Sequence, residues 1–126
     1  MSGNFGETFR VQKAVITEEK RGGHLACQVR GTGFRVGDVQ VLAERVNTIL
    51  ANPPESVVFE FIDCPLLDSA CIGQMVRLLR GMMGLGKSVF VIANDTIWDG
   101  MRTVGLETLV HRLPNVAEYW SANQAK

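Results

Sequence analysis

From His24 to Val29 apolar and polar positions alternate: Leu25, Cys27 and Val29 fall on one face, His24, Ala26 and Gln28 on the other. A period of two predicts a half-buried strand. Upstream, Phe9, Val11, Ala14, Val15 and Ile16 predict another strand, whose register the pattern does not fix. Between them Glu18-Glu19-Lys20-Arg21-Gly22-Gly23 reads as a charged turn, so the pair reads as a hairpin. Gly31, Gly33 and Gly37 then make a flexible crossing, with Asp38 placed to cap a helix. Val39, Leu42, Val46, Ile49 and Leu50 recur at three- and four-residue steps as one apolar helical stripe, which Asn52-Pro53-Pro54 ends.

The run Val57-Val58-Phe59-Glu60-Phe61-Ile62 is almost continuously apolar, as in a strand buried on both faces. After Cys64-Pro65-Leu66-Leu67, Asp68-Ser69 opens a second helix. Ile72, Met75, Val76, Leu79 and Met83 form its apolar stripe, and Gln74, Arg77 and Arg80 should face water. Gly81, Gly84 and Gly86 close it. Ser88 to Ala93 is a further buried strand. Asp95 or Thr96 caps a third helix running through Val104, with Gly105 as its left-handed C-cap. Val110 to Leu113 reads as a short edge strand and Val116 to Trp120 as a last helical turn. Helices alternating with buried strands predict α/β layer packing. Residues 1–7 and 123–126 are expected to be flexible tails on a single domain spanning 8–122.

Composition narrows the function classes. The 126 residues are 46% hydrophobic and 21% charged, a globular balance for one domain. Thirteen Lys and Arg offset 13 Asp and Glu, so the net charge is zero. That removes the basic field on which non-specific nucleic-acid or anionic-membrane binding depends. Met1-Ser2-Gly3-Asn4 starts no signal peptide, and the apolar runs fall well short of the roughly 20 residues of a membrane helix. A cytoplasmic protein without membrane insertion is the expectation. Cys27, Cys64 and Cys71 contain no Cys-x-x-Cys pair, so they read as buried core residues or reduced thiols, with no metal or cofactor implied. His24 and His111 suggest no catalytic dyad, and Trp98 and Trp120 read as packing residues, with a partner surface the alternative for Trp98.

One motif points elsewhere. Gly81-Met82-Met83-Gly84-Leu85-Gly86-Lys87-Ser88 satisfies the phosphate-loop pattern G-x-x-x-x-G-K-[ST]. A working phosphate loop follows a strand and opens a helix, so that the helix N-terminus faces the anion. Here the predicted order is helix, loop, strand. The segment would lie at a helix C-terminus, where Lys87 complements the dipole and a phosphate is repelled.

The start of the second helix carries more information. Taken alone, Ser69 reads as an N-cap. In context, the strand Val57-Val58-Phe59-Glu60-Phe61, then Leu66-Leu67-Asp68-Ser69, then Ile72-Gly73, resembles the signature of STAS domains. In anti-sigma-factor antagonists that signature is an apolar strand with one acid, a loop, and Asp-Ser-Ser-Gly-Leu-Gly. Val89 to Ala93, Ile97, Met101, Gly105-Leu106 and Gly31 are similar to later and earlier family positions, so the resemblance runs from about Phe9 to Ala122. It implies a STAS-type α/β fold, a mixed sheet of four or five strands packed with four helices in a single domain.

The resemblance further implies a non-enzymatic partner switch. The serine after the aspartate, here Ser69, is phosphorylated by an anti-sigma factor that is also a serine protein kinase of the histidine-kinase-like ATPase type. The unphosphorylated form binds that partner and frees the sigma factor; the phosphorylated form lets go. Asp68, Ser69, Ala70, Cys71, Gln74, Thr32 and Phe34 are the implied partner-binding residues. Ala70 and Cys71 depart from the family's second serine and glycine, both remaining small. Thr32-Gly33-Phe34 stands where the family often has Glu-Leu-Asp, so the acid often found near the interface is missing. Cys71, one turn into the helix, is also a candidate reactive thiol. The alternatives are a STAS subunit serving as a constitutive adaptor, as in a lipid-transport ATPase complex, and a phosphate-loop nucleotide enzyme.

Overall fold

The apolar run in the middle of the chain becomes the central strand of a five-stranded mixed sheet. The computed structural model describes residues 15–31, 39–64 and 67–123. Within them the order is β1 (Val15–Arg21), β2 (His24–Arg30), α1 (Val39–Ala51), β3 (Ser56–Ile62), α2 (Ser69–Gly84), β4 (Ser88–Ile92), α3 (Asp95–Thr103), a 3-10 turn (Leu106–Thr108), β5 (His111–Arg112) and α4 (Val116–Ala122). The strands lie in the order β1-β2-β3-β4-β5. Only β1 and β2 are antiparallel; β3 runs parallel to both of its neighbours, and β5 is parallel to β4.

The hairpin differs from its sequence reading. The charged stretch is strand as far as Arg21, and the turn is only Gly22 and Gly23, with φ of 54° and 89°. Two successive positive-φ residues suit a two-residue hairpin turn, which glycine adopts without a Cβ clash. Charged residues are admissible because β1 is the edge strand among the described residues, where they also discourage pairing with other chains. Glu18 is in register with Cys27 and lies 2.6 Å from Arg45 Nη1 on α1, so it seals the margin of the core. Phe9, Val11, Ala14 and the Asp38 cap lie outside the described residues, as does the proposed domain start at residue 8.

The two sheet faces are unequally covered. Leu25, Cys27 and Val29 of β2, Val57, Phe59 and Phe61 of β3, and Val89 and Val91 of β4 form one buried face. Leu42, Val46 and Ile49 of α1, Met75, Leu78, Leu79 and Met82 of α2, and Ile97 and Met101 of α3 close over it. Each such side chain, fully buried, contributes about 1.5–3 kcal/mol from apolar area removed from water. The opposite face holds a smaller cluster of Ala26, Val58 and Tyr119, flanked by Phe90, Ile92, Val116 and Trp120 where α4 crosses the sheet.

Helix α2 is rotated slightly from its expected orientation. It buries Cys71, Met75, Leu78, Leu79 and Met82, while Met83 is 49% exposed. Ile72 and Val76 pack at the margin of the same cluster. Arg77 does not stand in open water: its Nη2 donates to Ala43 O of α1 at 3.3 Å, so it spans the α1–α2 seam. The seam is tight at Gly81, where a Cβ would lie 2.5 Å from Leu50 Cδ2. Asn123 closes α4, donating from its backbone N–H and Nδ2 to Tyr119 O at 3.0 and 2.9 Å.

Candidate functional site

Strands β2, β3 and β4 run parallel, so their C-terminal ends share one edge of the sheet, and α2 and α3 start from that edge. Asp68 has extended backbone angles, φ −79° and ψ 172°, and its side chain accepts from Cys71 N at 2.9 Å. Its carbonyl accepts the first intrahelical bond, from Ile72 N at 3.0 Å. Asp68 is therefore the N-cap, and Ser69, read from sequence alone as a cap, is the first helical residue. An aspartate here both satisfies an orphan N–H and places its charge at the positive end of the helix dipole.

Ser69, Ala70 and Gly73 are exposed on the first turns of α2. A Cβ on Gly73 would meet nothing within 4 Å, so packing does not require a glycine there. Cys71 is fully buried, which gives no support to the reactive-thiol reading and turns its side chain away from the exposed surface. Gln74 is half-buried, and its Oε1 accepts from Arg77 Nε at 3.1 Å and Nη2 at 2.7 Å. Thus Asp68, Ser69, Ala70 and Gln74 share one end of α2. Thr32 and Phe34 lie outside the described residues.

The ground beneath this turn is pinned on two sides. Asp63, in the left-handed region at φ 58°, turns the chain out of β3. Cys64 is buried, and its Sγ lies 3.5 Å from Val29 O and 3.5 Å from Ile62 O. Burial pushes its thiol up to about 11; the Asp63 charge adds to the rise, and a Gly31 N–H bond opposes it. Cys64 thus keeps its proton and can donate. From the β4 side, Asn94 Nδ2 donates to Cys64 O at 3.0 Å, while Asn94 Oδ1 accepts from Ile97 N at 2.8 Å. Asn94 is therefore the α3 cap, one residue before Asp95 and two before Thr96, the caps that the sequence reading favoured.

No family model and no curated protein matches the sequence. Solved structures do. An anti-sigma factor antagonist from Mycobacterium paratuberculosis superposes with a TM-score of 0.77 at 15% identity, over 90% of this chain and 96% of that one. The anti-sigma factor antagonist SpoIIAA in its unphosphorylated form gives 0.70 at 12% identity, over 89% and 99%. The chain has the STAS fold. The phosphorylated form of SpoIIAA, a Bacillus cell fate determinant, gives 0.68 at 11% identity, over 86% and 99%. The expected STAS architecture, a mixed sheet with four helices in a single domain, is what the described residues form.

Within this fold the phosphate-loop string is the end of α2. Leu85 N donates to Met82 O at 3.0 Å, Gly86 N to Met83 O at 2.9 Å and Lys87 N to Met82 O at 2.9 Å. Those N–H groups serve the helix C-terminus and do not converge on an anion. Gly86 takes φ 72°, and Lys87 Nζ lies 3.5 Å from Glu55 Oε1. Cys27, Cys64 and Cys71 are all buried and none is in a disulfide. Trp98 packs at the margin of the core with the Arg112 guanidinium 5.3 Å from its ring centroid. No helix among the described residues is long and apolar enough to cross a membrane.

Two features escaped the sequence reading. One is the double role of Asn94; its signal was available, since asparagine directly after a strand is a leading N-cap type. The other is the link His24–Ser56–Tyr119 behind the sheet, at 2.8 and 2.7 Å, which ends in a bond from Tyr119 OH to Leu25 O at 3.1 Å. No local pattern marks it.

Proposed function

We propose that this STAS domain is a non-enzymatic partner-switching module, an anti-sigma factor antagonist acting in the cytoplasm, with Ser69 as its switch. The observation that carries the reading is an exposed serine at the first helical position of α2, beside a cap that another residue supplies. The likeness to SpoIIAA structures in both unphosphorylated and phosphorylated forms supports it. The partner in this reading is an anti-sigma factor that is also a serine kinase of the histidine-kinase-like ATPase type.

The chemistry is simple. The unmodified end of α2 presents small neutral groups, Ser69, Ala70 and Gly73, against which a partner can close. Transfer of a phosphoryl group from ATP to Ser69 Oγ releases the hydroxyl proton and adds about −1.5 to −2 charges at pH 7. The helix N-terminus tolerates that charge within the domain. The partner surface, fitted to a neutral hydroxyl and already close to the Asp68 carboxylate, would have to desolvate an unmatched anion, and the complex dissociates.

The test begins with co-purification of the wild-type chain from native cells and identification of what comes with it. Ser69→Ala is expected to bind that protein as wild type does. Ser69→Asp is expected to bind at least roughly a hundredfold more weakly, about 2.7 kcal/mol. Equal binding by both variants would favour a constitutive adaptor, as in a transporter complex, and end the switch reading. Magnesium-ATP turnover that Lys87→Ala abolishes would instead favour a nucleotide enzyme.

A further inference from the structure

Asn94 belongs to α3, yet one of its two side-chain hydrogen bonds goes to the chain that leads into α2. Its Oδ1 caps α3 through Ile97 N. Its Nδ2 holds Cys64 O, four residues before the Asp68 cap. Cys64 is also the residue whose thiol is seated against Val29 O at the end of β2. The Asn94 amide and the Cys64 thiol together thus tie the ends of three strands to the helices that start above them. Capping requires only an acceptor at position 94, which aspartate or serine supplies equally well. Holding a carbonyl requires a donor at the same time, and among the strong capping types asparagine alone carries acceptor and donor on separate atoms, where serine has one hydroxyl for both tasks.

We propose that Asn94 is a positioning residue for Ser69: its amide fixes the start of α2 relative to α3, and with it the placement of the Ser69 hydroxyl for the partner. This rests on the switch reading of Ser69, and the two can fail separately.

The experiment uses the full chain with Asn94→Asp and Asn94→Ser. Both variants retain an acceptor for Ile97 N. Aspartate loses the donor to Cys64 O, and serine is too short to reach it and adds no charge. Amide hydrogen exchange is followed at Cys71 and Ile72, whose acceptors are the Asp68 side chain and carbonyl, and at Ile97 as an internal control. Exchange at Cys71 and Ile72 is expected to quicken about threefold to tenfold in both variants, as for loss of one supporting hydrogen bond, with Ile97 unchanged. Binding to the protein co-purified with the wild-type chain is expected to weaken by a similar factor. Unchanged exchange at Cys71 and Ile72 in both variants would make Asn94 a cap only and overturn the proposal, whatever the partner does. Faster exchange with undiminished binding, while Ser69→Asp still weakens binding as expected, would also overturn it. If Ser69→Asp binds normally as well, the switch reading itself has failed.

Discussion

The hydrogen-bonded link behind the sheet gives a prediction whose size follows from which atom can donate. Leu25 O can only accept, so the proton of Tyr119 OH, 3.1 Å away, points to it; the opposite arrangement would set two oxygens lone pair to lone pair. The Tyr119 oxygen then accepts from the Ser56 hydroxyl at 2.7 Å, and Ser56 in turn accepts from His24 Nδ1–H at 2.8 Å. Tyr119→Phe preserves the ring and its edge contact with Phe90, at 5.3 Å between centroids, and removes only the hydroxyl. It leaves a buried carbonyl and a serine that is 2% exposed each short of a partner. The cost is expected to be about 2 kcal/mol, within the roughly 1–3 kcal/mol of an unsatisfied buried polar group. For a domain of this size that is about 8 °C in Tm.

Ser56→Ala should cost less, about 1 kcal/mol, because Tyr119 keeps its donation to Leu25 O and water can reach the half-buried His24. The double variant should fall short of the sum by roughly 0.5–1 kcal/mol, since each single change already breaks the shared bond. Urea unfolding at pH 7, with the m value checked for constancy, measures all three. A Tyr119→Phe protein within about 0.5 kcal/mol of wild type, or strict additivity in the double variant, would refute the donor chain.

Capping makes a paired prediction: Asp68→Ala should lose about 1 kcal/mol, whereas Ser69→Ala should stay within about 0.5 kcal/mol, both by denaturant melts. Gly73→Ala should stabilise by up to about 1 kcal/mol because its Cβ enters open space, while Gly81→Ala should show no such gain because Leu50 must move; thermal melts compare them. Stability should fall as the solution turns alkaline. Burial raises Cys27 from 9.0 to about 12, Cys64 from 9.0 to about 11 and Tyr119 from 10.0 to about 12, so each favours folding below its unfolded value and loses that contribution as pH rises toward the folded one. Denaturant midpoints measured from pH 8 to 11 should therefore decline from about pH 9, and Tyr119→Phe should decline less steeply above pH 10.

What the chain reveals on reading, and what it withholds, follows from how far each interaction reaches along it. The β3 run and the α1 stripe are periodic and local, and they are found where they were expected. Strand β1 was cut short because charge suggested a turn, and only its edge position makes charge compatible with pairing. The orientation of α2 was missed by about one position because Ile72, Val76 and Met83 make a stripe as regular as the buried one. Links such as Asn94 to Cys64 and Tyr119 to Leu25 join residues 30 and 94 positions apart and leave no periodic trace. At the candidate site the pair Asp68-Ser69 was legible, but either residue could have capped the helix, and the extended backbone of Asp68 decides between them. That decision bears on function. A capping serine would commit its hydroxyl to a backbone N–H, and any modification would first have to break that bond. With Asp68 holding Cys71 N, the Ser69 hydroxyl is left out of the capping bond at an exposed position, so a group can be added to it without unfastening the helix it begins.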